Sequence, residues 1–455
     1  MEDFERSYCL LCPGPVNVRP EVACALTAYE FCHREEEFSA LLSSLEEKLL
    51  AVAGVRRPEL WAAVLVTGSG TAANEAVLSS VPAPGERVLV LANGEFGERL
   101  AAISRIHNPG TECLAQPWGQ PLDLARVEAH LAAHRVGLVA MVHHETSTGM
   151  KNPVETVGRL AARHGARLFV DGVSSFSADP LDLDASGVTF LSSSAGKALG
   201  AYPGLSFVLA PHEAFRSLAG REPRSRYLDL RRHYEFARDR SQTPHTPAIP
   251  LFLALHRALE LVLEEGVSER HRRLASLATQ ARRRIAELGL AVLVPPADAS
   301  SVLTSVVLPG GVSFERLRTA LRERGFVIYG GKGPLEGRIV QISTVGDVGP
   351  DRFDLFFDSL AGALAAASGK RSGNAAVAPD VGGDIEERGR PEERESQVRP
   401  GESRPVKRPR RVVPVAPGFQ DVEREDQEGV EEDVRRDLSQ EDRVEGEPLL
   451  RRARA

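Results

Sequence analysis

The chain is 455 residues long, 42% hydrophobic and 26% charged, with a formal net charge of -7. That length supplies two folded domains and a large core, and the composition is ordinary for a globular enzyme. The acidic balance argues against nucleic-acid binding, which needs a basic face, and no apolar run approaches the ~20 residues that cross a bilayer. The opening MEDFERSYCLLCPGP lacks the basic-then-apolar pattern of a secretory signal. Cys9, Cys12, Cys24, Cys32 and Cys113 all fall in the first quarter of the chain. Cys9 and Cys12 form a C-x-x-C, but no second pair or histidine cluster stands at zinc spacing. They read as reduced thiols of a cytoplasmic protein rather than as a metal site.

From residue 60 to 210 short apolar runs alternate with helical patterns. The first run, AAVLV (62–66), leads into Thr67-Gly-Ser-Gly-Thr71 and a helix, AANEAVLSSV. Glycines let the backbone approach an anion, and a helix start offers free N–H groups and a positive dipole end. The same turn fits the dinucleotide pattern at Gly68, Gly70 and Ala73, so by itself it does not choose a ligand. After RVLVLA (87–92) and GLVAMV (137–142) comes the hydroxyl-rich loop His143-His-Glu-Thr-Ser-Thr-Gly149. Segment 152–165 then spaces its apolar residues as a helix does.

Strand RLFV (167–170) runs into Asp171. A carboxylate closing a buried strand needs a partner; a protonated pyridine nitrogen would be one, and capping of the next helix is the plain alternative. Run TFLSS (189–193) leads to Ser192-Ser-Ser-Ala-Gly-Lys197, a lysine among small residues one β-α-β unit later. It suits an amine that must lose its proton and attack a carbonyl. The Gly-Lys pair is no P-loop, because Leu191 and Ala198 stand where that motif requires Gly and Ser or Thr. LSFVLA (205–210) completes a mostly parallel sheet covered on both faces.

After about residue 250 come long helical patterns, beginning with IPLFLALHRALELVLEEG. Strand candidates SVLTSVVLP (301–309), GFVIYGG (325–331) and RIVQIST (338–344) follow, which is the pattern of a smaller α+β domain. Arg338 opens the last of them, and its planar fork suits a carboxylate or a structural ion pair. The reading divides the chain into a large domain (1–250), a small domain (251–370) and a charged tail (371–455). The tail has Phe419 as its only aromatic residue and too little apolar surface to fold, so it is expected to be disordered.

Taken together, LLCPGPVNV (10–18), TGSGTAANEAVL (67–78), ANGEFGERL (92–100), MVHHETSTGMKNPVETVG (141–158), LFVDGVSSF (168–176), SSSAGKALGAYPGLSFVLA (192–210), FVIYGGK (326–332) and RIVQISTVGDV (338–348) resemble the class V, fold type I pyridoxal-phosphate aminotransferases. VHHETSTGM and VIYGGK tilt the likeness toward the 2-aminoethylphosphonate–pyruvate transaminases, with the serine– and alanine–glyoxylate aminotransferases next. The resemblance implies a seven-stranded sheet in the large domain and pyridoxal 5'-phosphate held covalently by Lys197, which also moves the substrate proton. It implies that Asp171 pairs with the pyridine nitrogen, Val173 and Phe96 enclose the ring, and Thr146 lies by the ring hydroxyl. Ser69, Gly70 and Thr71 would hold the phosphate, with Thr246 reaching the phosphate of a neighbouring subunit in a homodimer. Arg338 would take the substrate carboxylate.

Two departures touch this site: Gly196 stands where the family has Asn or Gln, and Ile-Val-Gln-Ile-Ser follows Arg338 where relatives have Ile-Gly. The expected reaction moves an amino group from a small primary amine to a 2-oxo acid such as pyruvate, with alanine– or serine–glyoxylate transamination as the alternative. A dinucleotide-dependent oxidoreductase is the alternative from another class. It wants an acid at the end of the second strand, where Asn93 stands.

Because the tail adds nothing to either expected core, deleting residues 371–455 should leave the thermal midpoint and the activity nearly unchanged. A fall of several degrees on truncation would show that the tail docks.

Overall fold

The computed structural model describes residues 8–367, so the tail from Arg371 onward lies outside the described residues. The main sheet has seven strands: β1 (Trp61–Thr67), β2 (Val88–Ala92), β3 (Thr111–Ala115), β4 (Leu138–Val142), β5 (Arg167–Asp171), β6 (Phe190–Ser194) and β7 (Leu205–Pro211). In space they run β1-β7-β6-β5-β4-β2-β3. All neighbours are parallel except β7, which lies antiparallel to both β1 and β6. The carboxyl ends of the six parallel strands β1 to β6 therefore share one edge of the sheet, and β7 begins there.

These strands are buried on both faces, which is why they read as continuous apolar runs. Alternate residues still choose opposite sides. Leu65, Leu91, Met141, Val170 and Phe207 face one core, and Val64, Val90, Ala140, Phe169 and Val208 face the other. The first core is covered by α1 (Glu36–Ala53) and the second by α2 (Gly70–Ser80) and α3 (Glu95–His107). Strand β3 is an edge strand whose Glu112, Cys113 and Leu114 are only half-buried, and so it carries no apolar signal in the sequence.

Beyond the sheet, the helix Ile249–Glu265 packs Phe252, Leu255 and Leu259 into the first core. The next helix, Val267–Glu287, gives Ala281 and Ile285 to a separate core with Val306, Leu317, Val340 and Phe356. A three-stranded antiparallel sheet stands over that core: β8 (Leu303–Val307), β9 (Tyr329–Gly330) and β10 (Ile339–Ser343), in the order β8-β10-β9. The single strand expected at 325–331 is divided. Phe326–Val327 pairs in parallel with Cys9–Leu10, whereas β9 pairs with β10. The segment serves two neighbours, and the N-terminal residues Cys9 and Leu11 are thereby built into the separate core beneath the small sheet. Among the described residues no helix is long and apolar enough to cross a membrane.

Candidate active site

Five strand ends at one edge bring their loops together, and a cavity of about 240 Å³ opens among them. From β1 come Ser69, Gly70, Thr71 and Asn74; from β2, Phe96 and Arg99; from β5, Asp171 and Val173; from β6, Ser194, Gly196 and Lys197. Pro203 and Gly204 at the start of β7 and Gly14 and Pro15 of the N-terminal segment complete the wall. This is the crevice in which open α/β sheets take ligands.

Asp171 is 5% exposed, and its carboxylate is held from two sides. The Val173 N–H donates to Oδ1 at 2.8 Å and Asn74 Nδ2 donates to Oδ2 at 2.7 Å. Burial pushes the carboxyl above its usual range; these two donors, with Arg99 and Lys197 nearby, pull it back. Lys197 Nζ approaches the Gly14 carbonyl at 3.4 Å. Burial lowers the amine below the ordinary lysine value; Cys12 and Asp171 oppose that pull, and Lys332 and Arg99 add to it. A buried amine with a lowered pKa is a nucleophile and a proton acceptor.

Glycine is required at Gly14, where φ is +137° and a Cβ would stand 2.5 Å from Lys197 Cδ. A Cβ at Gly70 would stand 2.6 Å from Val173 Cγ2, so the first turn of α2 lies directly against the loop after β5. Ser69 occupies the N-cap of α2 without a side-chain capping bond. The helix start is left to face the cavity with its own N–H groups, the arrangement that suits a phosphate.

The expected residues Lys197, Asp171, Ser69, Gly70, Thr71, Phe96 and Val173 thus line one cavity. The described lining residues do not include Thr146, Thr246 or Arg338. Thr146 is buried, its hydroxyl donating to Ser174 Oγ at 2.8 Å. His144 Nδ1 meets that same oxygen at 3.0 Å, and burial brings the His144 pKa down to about 4. Thr246 and Arg338 are exposed, with Arg338 Nη1 reaching the Pro334 carbonyl at 3.4 Å. At the end of β2, Asn93 binds Asn152 and the Gln120 carbonyl, so no carboxylate stands where a ribose would need one.

Both sequence departures have a structural counterpart. A Cβ at Gly196 would come within 2.7 Å of Pro203 Cα, so the wall occupies the place a longer residue would take. Gln341, in the stretch after Arg338, is 5% exposed and donates to the carbonyls of Thr146 at 2.7 Å and Ser147 at 3.1 Å. Asn74, Arg99 and Gly14 were not singled out by the sequence reading. Only Arg99 left a usable trace, one turn beyond Phe96 on the same helix face.

Known proteins share both the sequence and the fold. A family model described as aminotransferase class-V matches residues 25–337. A 2-aminoethylphosphonate–pyruvate transaminase of Vibrio cholerae is 32% identical over 369 residues, 79% of this chain and 99% of its own. An uncharacterised aminotransferase of Methanocaldococcus jannaschii is 32% identical over 343 residues, 75% of this chain and 88% of its own. Among solved structures, the alanine–glyoxylate aminotransferase of Nostoc sp. matches with a TM-score of 0.75 at 31% identity, covering 79% of this chain and 95% of that one.

One further buried acid holds the site's frame. Glu145, 0% exposed, accepts from the backbone N–H groups of Phe96 at 3.2 Å and Gly97 at 2.9 Å, and from the Ser147 hydroxyl at 2.6 Å. It satisfies the first turn of α3 from a different loop and so fixes Phe96 at the cavity. Glu145→Ala leaves those donors buried without partners and should cost about 2–4 kcal/mol in urea unfolding, with Glu145→Gln recovering part. An alanine variant as stable as the parent would show that α3 is held by other means.

Proposed function

The chain belongs to the class V aminotransferase family, and from that membership we propose that it transfers an amino group between a small primary amine and a 2-oxo acid, using pyridoxal phosphate held by Lys197. The observation that carries the reading is a buried amine and a buried carboxylate in one cavity, beside the uncapped start of α2. A fit to the cofactor follows from the donor set: N–H groups at Ser69–Thr71 for phosphate, Phe96 and Val173 for the ring faces, Asp171 for the ring nitrogen. Bound there, the cofactor would supply an electron sink that stabilises negative charge on the adjacent carbon.

The protein's own contribution is then positional and acid–base. Asp171 keeps a positive charge opposite it stable because its carboxylate is pinned and screened from water. Lys197 Nζ, low in pKa through burial, takes the proton from the substrate carbon and returns it. Phe96 and Val173 would enclose the ring. Thr146, which donates to Ser174, would stand on the side of the ring hydroxyl. Thr246, exposed on this chain, meets the phosphate site of a second copy in a homodimer. The five free cysteines fit a reducing cytoplasmic setting.

For the substrates, the reading takes 2-aminoethylphosphonate and pyruvate from the Vibrio cholerae relative. Alanine or serine with glyoxylate is the second reading, its alanine form favoured by the Nostoc structure.

Purified protein should take up pyridoxal phosphate with a visible absorption band that borohydride bleaches, and peptide mapping should find the reduced cofactor on Lys197. Lys197→Ala should bind the cofactor reversibly and lose turnover by several orders of magnitude. A protein that stays colourless with added cofactor would end this reading. Mixing the loaded enzyme separately with 2-aminoethylphosphonate, alanine and serine tests the donor, the first reading requiring fastest conversion by the phosphonate. If Arg338 takes the carboxylate, Arg338→Ala should lose roughly 2–4 kcal/mol in kcat/KM for pyruvate at unchanged cofactor affinity. A loss seen in Arg99→Ala instead would move that contact into the cavity wall.

A further inference from the structure

Asn74 is 5% exposed and lines the cavity, an expensive place for an amide unless its hydrogen bonds are met. Nδ2 donates to Asp171 Oδ2 at 2.7 Å, and Oδ1 accepts from Ser192 Oγ at 2.5 Å. Ser192 sits on β6 with 0% exposure, and its backbone carbonyl accepts from the Gly172 N–H at 2.9 Å. Turning the amide over would set its oxygen against the carboxylate, so Asp171 fixes the orientation, and the Ser192 hydroxyl then donates to Oδ1.

We propose that Asn74, oriented by Ser192, is a positioning residue that holds Asp171 ionised and in the plane the cofactor's ring nitrogen requires. This rests on reading the cavity as the pyridoxal-phosphate site. A neutral donor is suited to the task. It stabilises the carboxylate against burial without cancelling its charge, whereas a cation hydrogen-bonded at that distance would compete with the ring for it. Asp171 also faces the charged groups of Arg99 and Lys197. Both favour its ionised form, but they belong to other loops and do not pin Oδ2.

The sign of the pH effect follows. Removing the Asn74 donor leaves burial less opposed and moves the Asp171 pKa further up. As pH falls the carboxyl is then neutralised earlier, and a neutral Asp171 no longer pairs with a cationic ring. The acid limb of cofactor affinity should therefore move to higher pH.

Cofactor-free full-length protein, titrated with pyridoxal phosphate by fluorescence quenching across a pH series, tests this without reference to turnover. Asn74→Leu should weaken affinity roughly ten- to hundredfold at neutral pH and shift the acid limb upward. Ser192→Ala should do the same to a smaller extent even if Asn74→Leu folds poorly, and Ser192→Thr should restore the parent behaviour. If the parent protein binds and both Asn74→Leu and Ser192→Ala match it at every pH, this inference fails alone. If the parent protein does not bind pyridoxal phosphate, the proposed function fails first and this inference with it.

Discussion

A carboxylate at the buried end of β5 is the constraint around which the rest of the site is arranged. Left alone, Asp171 would protonate or destabilise the fold. Its neighbours answer that cost with one backbone N–H, one amide and two more distant cations. The sheet makes the arrangement available, because its six parallel strands deliver their carboxyl ends to one edge, four of them carry cavity residues there, and the antiparallel β7 closes the wall. Glu145 meets the same demand one loop away, stabilised by the first turn of α3, and the helix start it fixes carries Phe96.

The site also depends on the small sheet and the segments beside it. Gly14 touches Lys197, and only a few residues earlier the same segment pairs with Phe326–Val327. Gln341 on β10 holds the loop after β4 by its backbone carbonyls. Asp179, past the Asp171 loop, accepts from the Ser300 hydroxyl and, at 2.9 Å, from the Ser301 N–H just before β8. Gln341 and Asp179 thus tie the site's edge to the smaller sheet and to the segment just before it by polar contacts, which leave no apolar pattern in the sequence.

That distinction explains what the sequence revealed. Buried strands are legible as apolar runs, and six of the seven in the large sheet stand where those runs fall; the half-buried edge strand β3 has no such run. Strand direction is not written in composition, so the antiparallel sense of β7 emerges only from pairing. Asp171 and Lys197 were legible because a charged residue after a buried strand is anomalous in itself. Asn74 sits inside an ordinary helical stretch, and its role comes from a side chain more than a hundred residues away in the chain, Ser192. At Gly196 the sequence shows only a departure from the family's Asn or Gln; that Pro203 fills the space of a longer residue is a matter of packing.

The central claim is that this cavity holds pyridoxal phosphate between Asp171 and Lys197. A crystal structure of the full chain grown with the cofactor tests it most directly. The account requires electron density continuous from Lys197 Nζ to the cofactor, the ring nitrogen within hydrogen-bond distance of Asp171, and the phosphate at the N–H groups of Ser69–Thr71. A cofactor bound with its phosphate elsewhere, or with Asp171 facing no ring atom, would contradict it.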